Sequence, residues 1–368
     1  MKEVVAVLGA GNGGHAAAVD LTLRGFEVHM FNPWKDDLQG VLDKGGIRMI
    51  EGDHEDFARI SVVTTNIEEA LDRARLVIVV VPVTYHGFYA KLMARYLTLD
   101  HILFLDPGHT GGGLHFIRTL RDIGVSTPVR TCETSTLTYG CRITAPGEVT
   151  LYMRPTSLPF AAFPGKFAPE LYSEVKEVYP SLELRESVLE TAFLNINAIE
   201  HPAQILCNAG WVEHTQGSYN FYFEGTTPSV GRVIDAVDKE RMATAKAMGI
   251  ETKSFAEMFF EVGYTTDNAL RVGTAYQVLH ESAPNRWVKG PKSLDHRYVH
   301  EDVGYGLVPL SGFGVIASVP TPTMCSLIHL ASVMNEVDYA TEGRTLEKLG
   351  LSGVPRERLH DFLYEGEL

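Results

Sequence analysis

Three stretches of the 368-residue sequence carry residues able to do chemistry. The first is Gly9-Ala10-Gly11-Asn12-Gly13-Gly14-His15, a G-x-G-x-x-G that follows an apolar run and opens the helical run Ala16 to Leu23. At this spacing Gly9 permits a tight turn, Gly11 lets the backbone approach a pyrophosphate, and Gly14 lets helix and strand pack closely. Asn12 and Gly13 stand where the unpaired N–H groups of a helix N-terminus attract the phosphates. The second is Asn197-Ala198-Ile199-Glu200-His201-Pro202, which puts Asn197 and His201 on one helical face. A histidine exchanges a proton near neutral pH, although a helical histidine is more often structural, and a kink at Pro202 would aim the ring inward. The third runs from Asp295 to Pro309 through Arg297 and Asp302, charged residues set directly against an apolar, glycine-containing segment. A carboxylate there would orient His201, and Arg297 would bind a carboxylate or phosphate; the plain reading is a surface loop with local ion pairs.

The elements that must position these residues fall into two halves. Val4 to Gly9, Glu27 to Asn32, Leu76 to Pro82, Ile102 to Asp106 and Val129 to Glu133 are β-rich runs separated by amphipathic stretches. The alternation predicts an α/β domain, a doubly wound parallel sheet of Rossmann type over residues 1–186, with Val149 to Met153 and Leu158 to Phe163 as closing strands. From residue 187 to 368 apolar residues recur at helical spacing, over Val188 to Cys207, Val230 to Met248, Phe255 to Gly263 and Met324 to Met334, so the second domain is expected to be all-α and to share a cleft with the first.

Cofactor contacts are expected at strand ends. The second strand ends on Asn32, where an acid usually binds the adenosine ribose. Asn32 does not repel a 2′-phosphate and Lys35 offers it a cation, whereas Asp36 and Asp37 offer the ribose a carboxylate, so NAD and NADP both stay open. Pro82 and Gly108 end two further strands and are candidate cofactor neighbours; Trp34 either covers the adenine or packs on its own domain.

Composition sets the limits. A formal charge of -14 argues against nucleic acid or an anionic membrane as partner, and no apolar run reaches the ~20 residues of a membrane span. The opening residues read as a buried strand and not as a signal segment, so a soluble, cytoplasmic protein is expected. Cys132, Cys141, Cys207 and Cys325 lack metal-ligand spacing and read as reduced core residues, with no metal site. The aromatic run Trp211 to Phe223 suits core, a pocket wall or a homodimer surface.

Together these segments resemble the octopine/nopaline (opine) dehydrogenase family, as does Glu342-Gly343-Arg344-Thr345-Leu346-Glu347-Lys348-Leu349-Gly350. The resemblance implies a Rossmann domain followed by a helical domain of 6-phosphogluconate dehydrogenase-like kind. It also implies NAD(P)H-dependent condensation of an amino acid with a 2-oxo acid such as pyruvate. By it His201 matches the catalytic histidine, Asp302 its aspartate with Asp295 as competitor, and Arg297 an arginine that senses cofactor. Asn197, Thr134 and Arg142 match the substrate side, and Lys289 or Lys292 would help hold carboxylates. Two rivals remain: a ketopantoate or glycerol-3-phosphate type reductase, disfavoured because no lysine lies between Ser187 and Asn208, and a non-catalytic NAD(P)-binding sensor.

Overall fold

The computed structural model describes residues 3–367. The chain forms two compact units, one running through Thr191 and regaining the chain from His360, the other from Ala192 to Leu359. The sequence reading assigns everything after residue 186 to the helical half. The last residues instead pack on the first unit, where Phe362 lies 5.8 Å from the Phe163 ring and Glu365 pairs with Lys166.

Among its described residues the first unit holds twelve strands: β1 (Val4–Leu8), β2 (Glu27–Phe31), β3 (Ile47–Glu51), β4 (His54–Ala58), β5 (Val62–Thr64), β6 (Leu76–Val79), β7 (Ile102–Leu105), β8 (Arg130–Thr134), β9 (Gly140–Ala145), β10 (Glu148–Met153), β11 (Leu158–Phe163) and β12 (Leu182–Leu184). Eight of them form one sheet in the order β12-β11-β8-β7-β6-β1-β2-β5. From β5 to β8 every pairing is parallel, which is the doubly wound order with its switch point between β1 and β6. The inner strands β1, β6 and β7 are buried throughout, as their unbroken apolar runs require.

A second sheet, β4-β3-β10-β9, was not expected. Its β3/β4 hairpin turns through Gly52-Asp53 with Gly52 at φ 62°, and β4 reads His-Glu-Asp-Phe-Ala, largely exposed and without apolar alternation. Of the two expected closing strands, β11 joins the main sheet antiparallel to β8, whereas β10 belongs to the small sheet. That sheet and strands β1 and β2 of the main sheet both pack on the helix Asn12–Leu23, which is buried from Gly13 to Leu21. Asp20, 5% exposed, is held there by the Tyr139 hydroxyl at 2.8 Å and Arg154 at 2.9 Å.

The second unit is helical among its described residues. The expected helix from Val188 to Cys207 is broken into Val188–Phe193 and Ile196–Cys207. The twenty-residue helix Pro228–Ala247 packs against the latter and starts as helices prefer, with Thr227 capping the Val230 N–H and Pro228 in the first turn. Arg241, fully buried, pairs with Asp238 and donates to the carbonyls of Phe193 and Lys253, so its burial is compensated. Glu240 accepts the backbone N–H groups of Thr323 and Met324, a carboxylate cap on the helix Pro322–Asn335. No described helix is long and apolar enough to cross a membrane. The cysteines are all free, but the core reading fails for Cys207 and Cys325, which are exposed.

Candidate active site

In the first unit the glycine loop is built by contact. A side chain at Gly9 would meet the Val80 carbonyl at 2.2 Å, and one at Gly14 would meet the Gly9 carbonyl at 1.9 Å, so strand, loop and helix close only with glycine at both positions. At Gly11 a Cβ would meet nothing within 4 Å, and Gly11 brings no side chain to cap the helix it precedes. Open space over an uncapped helix N-terminus fits a dinucleotide pyrophosphate. Gly13 is packed against Val80 and Leu137, and the Asn12 side chain accepts the Ile143 N–H at 2.8 Å, tying the loop to β9.

The other expected cofactor residues lie around this loop with different tasks. Asn32 is buried and donates to Asp37 at 2.8 Å; Lys35, exposed, opens the helix Lys35–Lys44. Pro82 is exposed and leads into the turn Val83–Tyr85. Trp34, 46% exposed, stacks on Phe88 with centroids 6.0 Å apart and meets Tyr85 edge-on at 5.4 Å. This aromatic wall joins the end of β2 to the segment after β6, and the sequence reading named only Trp34 of its members. Gly108 is filled from below, since a Cβ there would meet Glu133 at 2.4 Å, and its N–H donates to the Thr134 carbonyl. The structure separates Thr134 from Arg142: Thr134 is fully buried on the main sheet, and Arg142 is exposed on β9, next to the Ile143 that binds Asn12.

In the second unit the helix Ile196–Cys207 carries Pro202 inside it and buries His201 to 4% exposure. Asp302 Oδ2 lies 2.8 Å from His201 Nδ1, and the Tyr222 hydroxyl lies 2.9 Å from Nε2. With Asp302 accepting from Nδ1–H, the neutral ring presents its lone pair at Nε2. The Tyr298 ring stacks on the imidazole, centroids 3.8 Å apart and planes 24° from parallel. Asp295, the competing acid, is exposed and pairs with His300 at 2.8 Å. Asn197 is half-buried one turn before His201.

Asp302 owes its place to the π-helical turn Val303–Leu307, closed by the Leu307 N–H on the Asp302 carbonyl at 2.9 Å. Gly306 lets this turn approach the histidine helix, because a Cβ there would lie 2.6 Å from the Ala198 Cβ. Arg297 is exposed, with Glu301 3.2 Å away one turn on. Burial pushes the Glu301 carboxyl up to about 7. Lys289 is engaged by the Asn220 side chain at 2.9 Å, and Lys292 is exposed. The aromatic run contributes Tyr219 and Phe221 to the core and Tyr222 to His201. Glu200 and Tyr222 escaped the sequence reading as site residues; the signal available was a carboxylate beside His201 on a helix with few charged residues.

The geometry agrees with what the chain is similar to. The model of the NAD/NADP octopine/nopaline dehydrogenase alpha-helical domain matches residues 184–335. An opine dehydrogenase of Arthrobacter sp. (strain 1C) is 37% identical over 353 residues, 96% of each chain. Among solved structures, octopine dehydrogenase with NADH and L-arginine shares the fold at a TM-score of 0.78, with 21% identity over 100% of this chain and 99% of that one. Yersinopine dehydrogenase with NADP+ does so at 0.77, with 15% identity over 99% and 98%. The chain therefore belongs to the octopine/nopaline dehydrogenase family of NAD(P)-dependent oxidoreductases acting on CH–NH bonds.

Proposed function

We propose that His201, oriented by Asp302, is the acid–base group with which this opine dehydrogenase joins an amino acid to a 2-oxo acid of the pyruvate type. The observation that carries this reading is the buried 2.8 Å contact between Asp302 and His201 Nδ1, which commits that nitrogen and leaves Nε2 for proton exchange. Protonated at Nε2, His201 polarises the oxo-acid carbonyl; the amine attacks its carbon, the C–N bond forms, and oxygen leaves as water after taking up protons. Bound NAD(P)H supplies the hydride that reduces the resulting imine to a secondary amine. The work left to the chain is to bind, orient and protonate.

Gly9, Gly11, Asn12, Gly13 and Gly14 would hold the cofactor's pyrophosphate, and Asn32, Lys35 and Pro82 would border the cofactor. Gly108 acts through loop packing on Glu133. Asn197, half-buried on the same helical face as His201, is a substrate contact in this reading; Arg142 is a carboxylate contact and Arg297 a cofactor contact, with Thr134 shaping the loop behind Gly108. Of the aromatic run, Tyr219, Phe221 and Tyr222 are buried while Trp211 keeps 37% exposure, and a homodimer through that face stays part of this reading. His201→Ala is expected to lower turnover by roughly 10²–10⁴-fold with NADH binding, read by fluorescence, nearly unchanged. Full activity in that variant would remove His201 from the reaction.

A further inference from the structure

The histidine helix carries a second buried acid that the pairing with Asp302 does not use. Glu200 is 3% exposed; its Oε1 lies 3.7 Å from His201 Nε2, and its Oε2 is buried without a hydrogen-bond partner among the described residues. A buried, unsatisfied carboxyl oxygen costs free energy that an apolar residue of similar size would not, so its presence asks for a task. The ionisable groups facing it are His201 on its own helix, Tyr222 on the aromatic run, Tyr264, and Tyr298 and Asp302 on the segment opposite. None of these is a fixed cation. Burial, then the charge of Asp302, pushes the Glu200 carboxyl well above its usual range.

The condensation creates a need for such a group. Joining an ammonium to a carbonyl moves two protons from nitrogen to oxygen. Loss of the first frees the lone pair, and the C–N bond forms as the C=O π bond opens and oxygen takes that proton. The second leaves nitrogen as the C–O bond breaks; its electron pair stays with oxygen, which departs as water, and the nitrogen lone pair closes the C=N bond. His201 exchanges protons at Nε2 alone, because Nδ1 is engaged by Asp302. The Tyr222 hydroxyl meets the same Nε2 edge, and Glu200 stands beside that hydrogen bond.

We infer that Glu200 is a proton-exchanging positioning residue, which with the Tyr222 hydroxyl passes one of these two protons to or from His201 Nε2. This rests on the acid–base reading of His201. The test compares wild type, Glu200→Gln and Glu200→Asp in NADH oxidation with pyruvate and an amino acid across pH 5–10, alongside thermal melts and NADH fluorescence titration. Glu200→Gln keeps the shape but cannot pass on a proton; it is expected to bind NADH normally, to lose at least about tenfold in kcat, and to lack one ionisation in its pH profile. Glu200→Asp restores part of both and carries the test if the glutamine variant does not fold. Wild-type kcat and pH profile in Glu200→Gln, or an aspartate variant that recovers neither, would overturn the inference. Wild-type oxidation that ignores the amino acid would instead overturn the condensation itself.

Discussion

Gly306 sets how closely the Asp302 segment approaches the histidine helix, and its replacement by alanine tests that arrangement directly. The added Cβ would lie 2.6 Å from the Ala198 Cβ, against ~3.5–4.0 Å for an ordinary carbon contact. The two segments must therefore part by about 1 Å. Overpacking of this kind costs about 1–3 kcal/mol, which at ~2–4 °C per kcal/mol lowers Tm by about 2–12 °C. Gly306 lies one turn after Asp302 and Ala198 three residues before His201, so the displacement falls on their 2.8 Å contact. Misplacing a reacting group by 1 Å can cost on the order of 10²-fold in rate. The assays are a circular-dichroism melt and NADH oxidation with both substrates. Ala198→Gly, which removes the opposing methyl and alone costs about 1 kcal/mol, should recover activity when combined with Gly306→Ala, through a coupling of about 0.5–3 kcal/mol. Strict additivity of the two changes, or wild-type kcat in Gly306→Ala, would refute the reasoning.

Asp302→Asn keeps the shape but replaces a charge-assisted bond worth about 1.5–3 kcal/mol with a neutral one. Turnover should fall by at least about tenfold with NADH affinity unchanged; a matching loss of NADH binding would show that Asp302 acts through the fold. Burial raises both Asp106 and Glu301 to about 7, from 3.8 and 4.5. Both folded values lie above the unfolded ones, so stability is fully present below about pH 4 and is lost as pH rises toward about 7. Melts from pH 5 to 8 should show these carboxyls lowering Tm as pH rises, with the slope reduced in Asp106→Asn and Glu301→Gln; an unchanged slope in both variants would contradict this. Lys35→Ala should raise the KM for NADPH by up to about fivefold, the scale of an exposed ion pair, and leave NADH unaffected. Equal effects on the two cofactors would remove Lys35 from 2′-phosphate recognition.

Much of this molecule was legible before the fold was seen, for identifiable reasons. Buried parallel strands announce themselves as unbroken apolar runs rich in Val, Ile and Leu, and β1, β6 and β7 were found in this way. The glycine loop was readable because Gly9 and Gly14 each meet a separate steric demand, while Gly11 keeps open space above the helix N-terminus. The small sheet was not readable. Its β4 is largely exposed and polar, and the pairing of β3 with β10 joins residues about a hundred positions apart. His201 was singled out by its helix face and then by family resemblance, and Asp302 was chosen as its partner through the resemblance; their spacing of 101 residues holds no periodic signal. Tyr222 and Glu200 were hidden because an aromatic run and a helix-borne glutamate read as core and surface until burial is known. The return of the C-terminus to the first unit depends on tertiary packing of Phe362 and Glu365 that local pattern does not encode.

The central claim is that this chain condenses two substrates at the expense of NAD(P)H, and the most direct measurement is absorbance loss at ~340 nm, the nicotinamide signal, with a 2-oxo acid, an amino acid, and the two together. Oxidation that requires both, with a secondary amine dicarboxylate as product, is the expected result. Oxidation at the same rate with the oxo acid alone would identify a simple ketone reductase and contradict the account.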